Sequence, residues 1–312
     1  MNECLQALLA NSIDYAGVFP PAELSLQDAV HECSRFQSQA DSWMLGSFIC
    51  PAAKIEQFYS LSESFPSRQA VSIVARATSN AESALEDLQR LVKAVEQFQE
   101  SHSDFVKVVA LELKPPFDVL DGSPDAHPAV FLEAVMELLH SSTLADQVFC
   151  ELQLSKQSVD AVSLIASTSS GLLLGLKLRT GGLEPAAFPT VDEVASFIAA
   201  CRDASVFWKA TAGLHQPLRH YDSKIGAWHH GFLNLFAAAV FAQIYNLSEH
   251  EIREVLENEM GSAFRFGPEY LCWNDFKATK EQIESARLQS LVSFGSCSFD
   301  EPREGLQSLG LL

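Results

Sequence analysis

The chain has 312 residues, 47% hydrophobic and 20% charged, and 40 acids against 21 bases leave a net charge of −19. That length and apolar content suffice for a buried core and exclude disorder as the dominant state. The acidic balance argues against a nucleic-acid partner, which would need a basic face for the phosphates.

No secretory or membrane address is visible, since Met1-Asn2-Glu3 lacks a positive start and the next apolar stretch is broken by Asn11 and Asp14. The most apolar run, Leu233–Tyr245, contains Asn234 and Gln243 and is too short to span a bilayer. The seven cysteines are scattered and show no Cys-x-x-Cys pair, so reduced thiols in the cytoplasm are expected rather than disulfides or a structural zinc.

Short apolar runs recur along the chain at Ile13–Phe19, Trp43–Cys50, Ala70–Arg76, Val106–Lys114, Val148–Leu154, Leu172–Arg179, Val206–Thr211 and Gly231–Leu235. Helical patterns lie between them. Ser25-x-x-Asp28, Thr190-x-x-Glu193, Ser248-x-x-Glu251 and Thr279-x-x-Gln282 read as helix-opening capping boxes or close variants. Glu82–Gln99 carries Leu85, Leu88, Val92 and Val95 on one helical face. Eight strand-like runs about thirty residues apart, alternating with helices, predict a closed (β/α)8 TIM barrel. The rival, a doubly wound open sheet, lacks its Gly-x-Gly-x-x-Gly turn after the first run. On this reading residues 1–312 form one domain, and 247–312 are extra C-terminal helices and a tail ending in Phe294-Gly-Ser-Cys-Ser-Phe-Asp-Glu-Pro302.

Buried parallel strands should be almost continuously apolar. Four of the runs break that rule in the same way, with Glu112 and Lys114, Glu151, Lys177 and Arg179, and Lys209 near their C-terminal ends. Where a run carries two such residues they stand two apart, so both share one strand face, and Leu111, Leu113, Leu176 and Leu178 take the other. Charges facing a helix layer would be ruinous without partners, so the charged face must point into the barrel at its C-terminal mouth. Four cations against two carboxylates leave this cluster at +2 inside an acidic molecule, which predicts a small anionic metabolite as partner. A lumen-filling ion-pair network is the competing reading.

A lysine attacks a carbonyl only as the neutral amine. Lys177 and Arg179 stand ~6.6 Å apart along a strand, where one charge disfavours another by roughly 2.5 kcal/mol at an effective dielectric of about 20. Lys209-Ala-Thr-Ala-Gly213 is similar to the Lys-x-Ser/Thr-x-Gly strand end of deoxyribose-phosphate aldolases, as is the placing of a lysine on each of two adjacent late strands. Asp14, Glu151 and Lys177 resemble the acid, base and lysine placement of class I fructose-bisphosphate aldolases. The resemblance covers strand ends only. It implies a barrel lyase working through a Schiff base without a metal or other cofactor, with Lys177 or Lys209 as nucleophile and Asp14, Glu112 and Glu151 as acid–base candidates.

Arg179 and the turns Thr180-Gly181-Gly182 and Thr211-Ala-Gly213 are candidates to hold the anionic end, and Arg76 is another possible anion contact. The long polar segment from Leu214 to Gly231 holds His215, His220, His229 and His230. Such segments are often lids or binding loops, which makes His215 a substrate contact. Asn234 either reaches the mouth from the eighth run or caps the last barrel helix. A metal-dependent isomerase or hydrolase, using His215, His229 or His230 with Glu112 or Glu151, is the first alternative function. A non-catalytic metabolite-binding barrel is the second. Substrate identity and oligomeric state are not legible.

Overall fold

Seven of the eight apolar runs fold as parallel strands, which alternate with helices along the chain. The computed structural model describes residues 2–78, 80–116, 128–140, 142, 146–152, 158–168 and 173–312. Seven strands match the expected runs closely: β1 (Ile13–Tyr15), β2 (Leu45–Pro51), β3 (Gln69–Val74), β4 (Val106–Leu113), β5 (Gln147–Leu152), β6 (Leu173–Arg179) and β7 (Trp208–Thr211). Residues 153, 154 and 172, also read as strand, lie outside the described residues.

The eighth barrel strand is not where the sequence pattern put it. Gly231 is the N-cap of the helix Phe232–Tyr245, and barrel closure is made by β13 (Leu291–Ser296), within the segment read as helices and tail. The order β1-β13-β7-β6-β5-β4-β3-β2 closes into a (β/α)8 TIM barrel. A helix buried along most of its circumference gives an unbroken apolar run, which periodicity cannot tell from a strand. Strand β13, by contrast, is diluted by Ser293, Gly295 and Ser296.

Between β7 and β13 lie a hairpin of β8 (His220–Asp222) and β9 (Ala227–His229), three α-helices (Phe232–Tyr245, Glu249–Leu256 and Lys280–Leu288), and a three-stranded antiparallel sheet of β10 (Phe264–Phe266), β11 (Tyr270–Trp273) and β12 (Phe276–Thr279). The tail read from Phe294 is strand, turn and a final helix, Asp300–Ser308. The capping boxes at Thr190, Ser248 and Thr279 all form, with both reciprocal bonds present. Leu111, Leu113, Leu176 and Leu178 are buried in the apolar core, leaving their charged neighbours for the lumen. Every cysteine is free. Among the described residues no helix is long and apolar enough to cross a membrane.

Candidate active site at the barrel mouth

Strand register builds the site. Glu151 pairs with Lys177 across β5–β6, and Lys177 with Lys209 across β6–β7, so three charged residues stand abreast. Asp14 enters from β1, at the middle of its short strand, and Glu112 from the end of β4. Gly46 makes room for Asp14, since a Cβ there would lie 2.5 Å from its Oδ1.

The side chains form one line of alternating charge. Lys209 Nζ lies 2.6 Å from both Asp14 Oδ2 and Glu112 Oε1. Lys177 Nζ lies 2.7 Å from Glu112 Oε2 and 2.8 Å from Glu151 Oε2. Arg179 donates from Nε (3.1 Å) and Nη2 (2.9 Å) to Glu151 Oε1. Neutral donors complete the carboxylates: Ser72 Oγ donates to Glu112 at 2.7 Å, Ser293 Oγ to Asp14 at 2.6 Å, and the Ser47 backbone N–H to Asp14 at 2.7 Å. The Lys209 ammonium also lies 5.4 Å from the centre of the Phe149 ring.

Burial would raise the Glu112 carboxyl, but Lys177 and Lys209 outweigh it and hold the group well below the usual carboxylate range. Burial would likewise strip the proton from Lys209, and Asp14 and Glu112 reverse this and raise it. Glu151 is lowered, with Lys177 and Arg179 together overcoming its desolvation.

The expected excess of +2 does not survive. Lys114 lies beyond the end of β4, exposed, and with Arg76 it lines a separate surface cavity of about 330 Å³. Asp14 takes its place, so three cations face three carboxylates and the cluster is neutral.

The glycine turns also have a packing purpose. A Cβ at Gly181 would lie 2.7 Å from the Phe188 ring and 3.0 Å from Gly213 Cα, and Gly213 has φ +76°. The two turns therefore touch backbone to backbone. Thr180 Oγ1 ties them together by donating to the carbonyls of Thr211 (3.1 Å) and Ala212 (2.6 Å). Thr211 Oγ1 faces Gly295 across the β7–β13 pair, and Gly182 packs on Ala187.

Asn234 lies in the first turn of the helix Phe232–Tyr245 rather than on a strand. Its Oδ1 accepts from the Arg219 N–H at 2.9 Å, and its Nδ2 donates to the carbonyls of Val255 (2.9 Å) and Asn258 (2.8 Å). It pins the segment after β7, with both of its amide protons already donated.

The rings of His220 and His229 approach to 5.1 Å between centroids, and the main contacts of the other loop histidines lie elsewhere. His215 faces Glu301 and Cys297, His229 stacks on Phe188, and His230 Nε2 donates to the Pro189 carbonyl at 2.8 Å. Among the described residues no three His, Cys, Asp or Glu side chains are grouped to hold a metal ion.

Sequence reasoning missed Ser72, Ser293 and Phe149. Ser72 was discoverable as a polar break in a buried strand, whereas Ser293 was hidden with its strand. Comparison with protein-family models, curated proteins and solved structures returned no match. The class the chain defines is therefore that of its fold, a closed parallel (β/α)8 barrel with an ionic cluster at the mouth.

Proposed function

We propose that the barrel is a Schiff-base enzyme, an aldolase-like lyase acting on a small anionic carbonyl compound, with Lys177 as its nucleophile. The observation that carries this is a gradient of access along the charged line. Side-chain exposure rises from 1% at Lys209 to 6% at Lys177, 12% at Glu151 and 39% at Arg179. A substrate entering from solvent meets Arg179 first and Lys177 before Lys209. Lys209, raised and clasped by two carboxylates, stays a cation and positions Asp14 and Glu112.

Glu151 Oε2, 2.8 Å away, takes the proton that Lys177 must lose. Glu151 is lowered partly by the Lys177 charge, a hold that disappears as the proton moves. The freed amine attacks the carbonyl carbon, the carbinolamine loses water, and the resulting iminium withdraws electrons from the neighbouring bond. Glu151 then serves the proton at that carbon, while Arg179 holds the anionic end. The resemblance to aldolase strand ends supports a Schiff-base lysine in this pair, and the choice of Lys177 rests on access alone.

Reduction with borohydride in the presence of a panel of keto acids and sugar phosphates tests this reading. A covalent adduct on the protein with one of them is expected. Absence of an adduct across the panel would favour the ion network as lumen filling.

A further inference from the structure

We infer that Cys297, His215 and Glu301 form a second reactive centre at the same rim, a thiol nucleophile with its base and orienting carboxylate, suited to an activated acyl carbon. The topology explains the meeting. Strands β7 and β13 are parallel neighbours, so the loops that follow them leave the barrel side by side. His215 comes four residues after β7, and Cys297 immediately after β13.

Cys297 Sγ lies 4.0 Å from His215 Nε2, and His215 Nδ1 lies 2.8 Å from Glu301 Oε2. The Glu301 carboxylate is close to Nδ1 but off the line of its N–H, which has no hydrogen-bond partner at rest, so turning Nδ1–H onto Glu301 is part of the step and leaves Nε2 as the acceptor that faces the thiol. This is the order of nucleophile, base and orienting group that covalent acyl transfer requires. Glu301 is itself held in place, because its backbone N–H donates to Ser298 Oγ at 3.1 Å in the first turn of the last helix.

Cys297 and His215 are both partly exposed. Five of the seven cysteines are buried, and Cys272, the other accessible one, lies on β11 away from any such pair. Burial and Glu301 push the Cys297 thiol up, while backbone N–H groups of Ala22 and Cys297 favour the anionic sulfur. The resting sulfur therefore keeps its proton and needs a base at the moment of attack.

In the step itself His215 Nε2 takes the thiol proton as the sulfur lone pair attacks the acyl carbon of an ester or thioester. The C–S bond forms, the bond to the leaving oxygen or sulfur breaks with its electron pair, and His215 returns the proton to that group. Water activated by His215 then releases the acid and restores the thiol. None of this uses Lys177 or Glu151.

p-Nitrophenyl acetate at pH 7 is the probe, read as p-nitrophenolate release and as acetyl groups mapped by peptide mass. One acetyl group per chain on Cys297 is expected, with a burst of one equivalent. His215→Asn should slow the burst about a hundredfold. Glu301→Gln should slow it about tenfold and leave its amplitude intact, a split that mere loss of structure would not produce. Acetylation of Cys272 or of lysines as fast as Cys297, or a burst indifferent to His215→Asn, would overturn the assignment. The Cys297-to-Cys272 ratio is read on the unaltered protein, so it decides even where a variant fails to fold.

Discussion

Lys177 and Lys209 are register partners on adjacent strands, and they grip opposite oxygens of one carboxylate, Glu112. That shared anchor is what lets two ammonium groups stand abreast inside a barrel. It also divides their roles, because Lys209 is enclosed by Asp14 and Glu112 while Lys177 is bounded by the more accessible Glu151.

Glu112→Gln should be among the most damaging single changes in the lumen. It removes the charge that both lysines share, deep in the core, where breaking a buried pair costs about 3–5 kcal/mol. Urea unfolding should show that loss in the midpoint with little change of slope. A cost under about 1 kcal/mol would mean that solvent reaches the cluster freely.

The same linkage predicts a pH dependence. Glu112 is lowered on folding, so its contribution is complete above the unfolded value of about 4.3 and is lost as pH falls below it. Lys209 is raised, so its contribution is complete below about 10.4 and is lost as pH climbs through its higher folded value. His230, pushed down to about 4 by burial, already begins to cost stability below about pH 6.5. Stability measured by urea titration should fall more steeply below pH 4.5 in the parent than in Glu112→Gln. Parallel curves there would remove Glu112 from the acid limb.

Glu151→Gln should fold, since the amide keeps an acceptor for Arg179 and the residue sits at the accessible end of the line. On the proposed chemistry it should slow proton exchange at the carbon next to the substrate carbonyl by about 10²–10⁴. Deuterium incorporation from solvent, followed by mass spectrometry, checks this directly.

Arg179→Met should weaken selection for anionic over neutral carbonyl compounds. A charge-assisted hydrogen bond is worth about 1.5–3 kcal/mol, so the preference should fall roughly tenfold or more. Unchanged selection would place the anionic end elsewhere on the rim.

Gly181→Ala tests the turn packing. Its new Cβ would press on the Phe188 ring and on Gly213 backbone, which cannot yield as a flexible side chain would. A loss of about 1–3 kcal/mol is expected in thermal or urea unfolding.

Much of this was legible in the residues. Charges at Glu112, Glu151, Lys177 and Lys209 violate the apolar rule for buried parallel strands, and a closed barrel is the architecture that gives them a common interior. What escaped had local causes. The helix Phe232–Tyr245 imitates a strand because it is buried along most of its circumference, and β13 imitates a turn because Ser293, Gly295 and Ser296 suit a crowded lumen. Lys114 has the strand parity of Glu112 but falls past the strand end, where pattern alone does not place boundaries. The link between Cys297 and His215 depends on two strands 80 residues apart in sequence being neighbours in space, which no local pattern encodes.

The central claim is that the accessible lysine of the pair does the chemistry. Borohydride-reduced protein carrying a trapped carbonyl compound should be digested and the modified lysine located by peptide mass. The adduct is predicted on Lys177, with Lys177→Met abolishing it. An adduct on Lys209, or one that persists in Lys177→Met, would contradict the assignment.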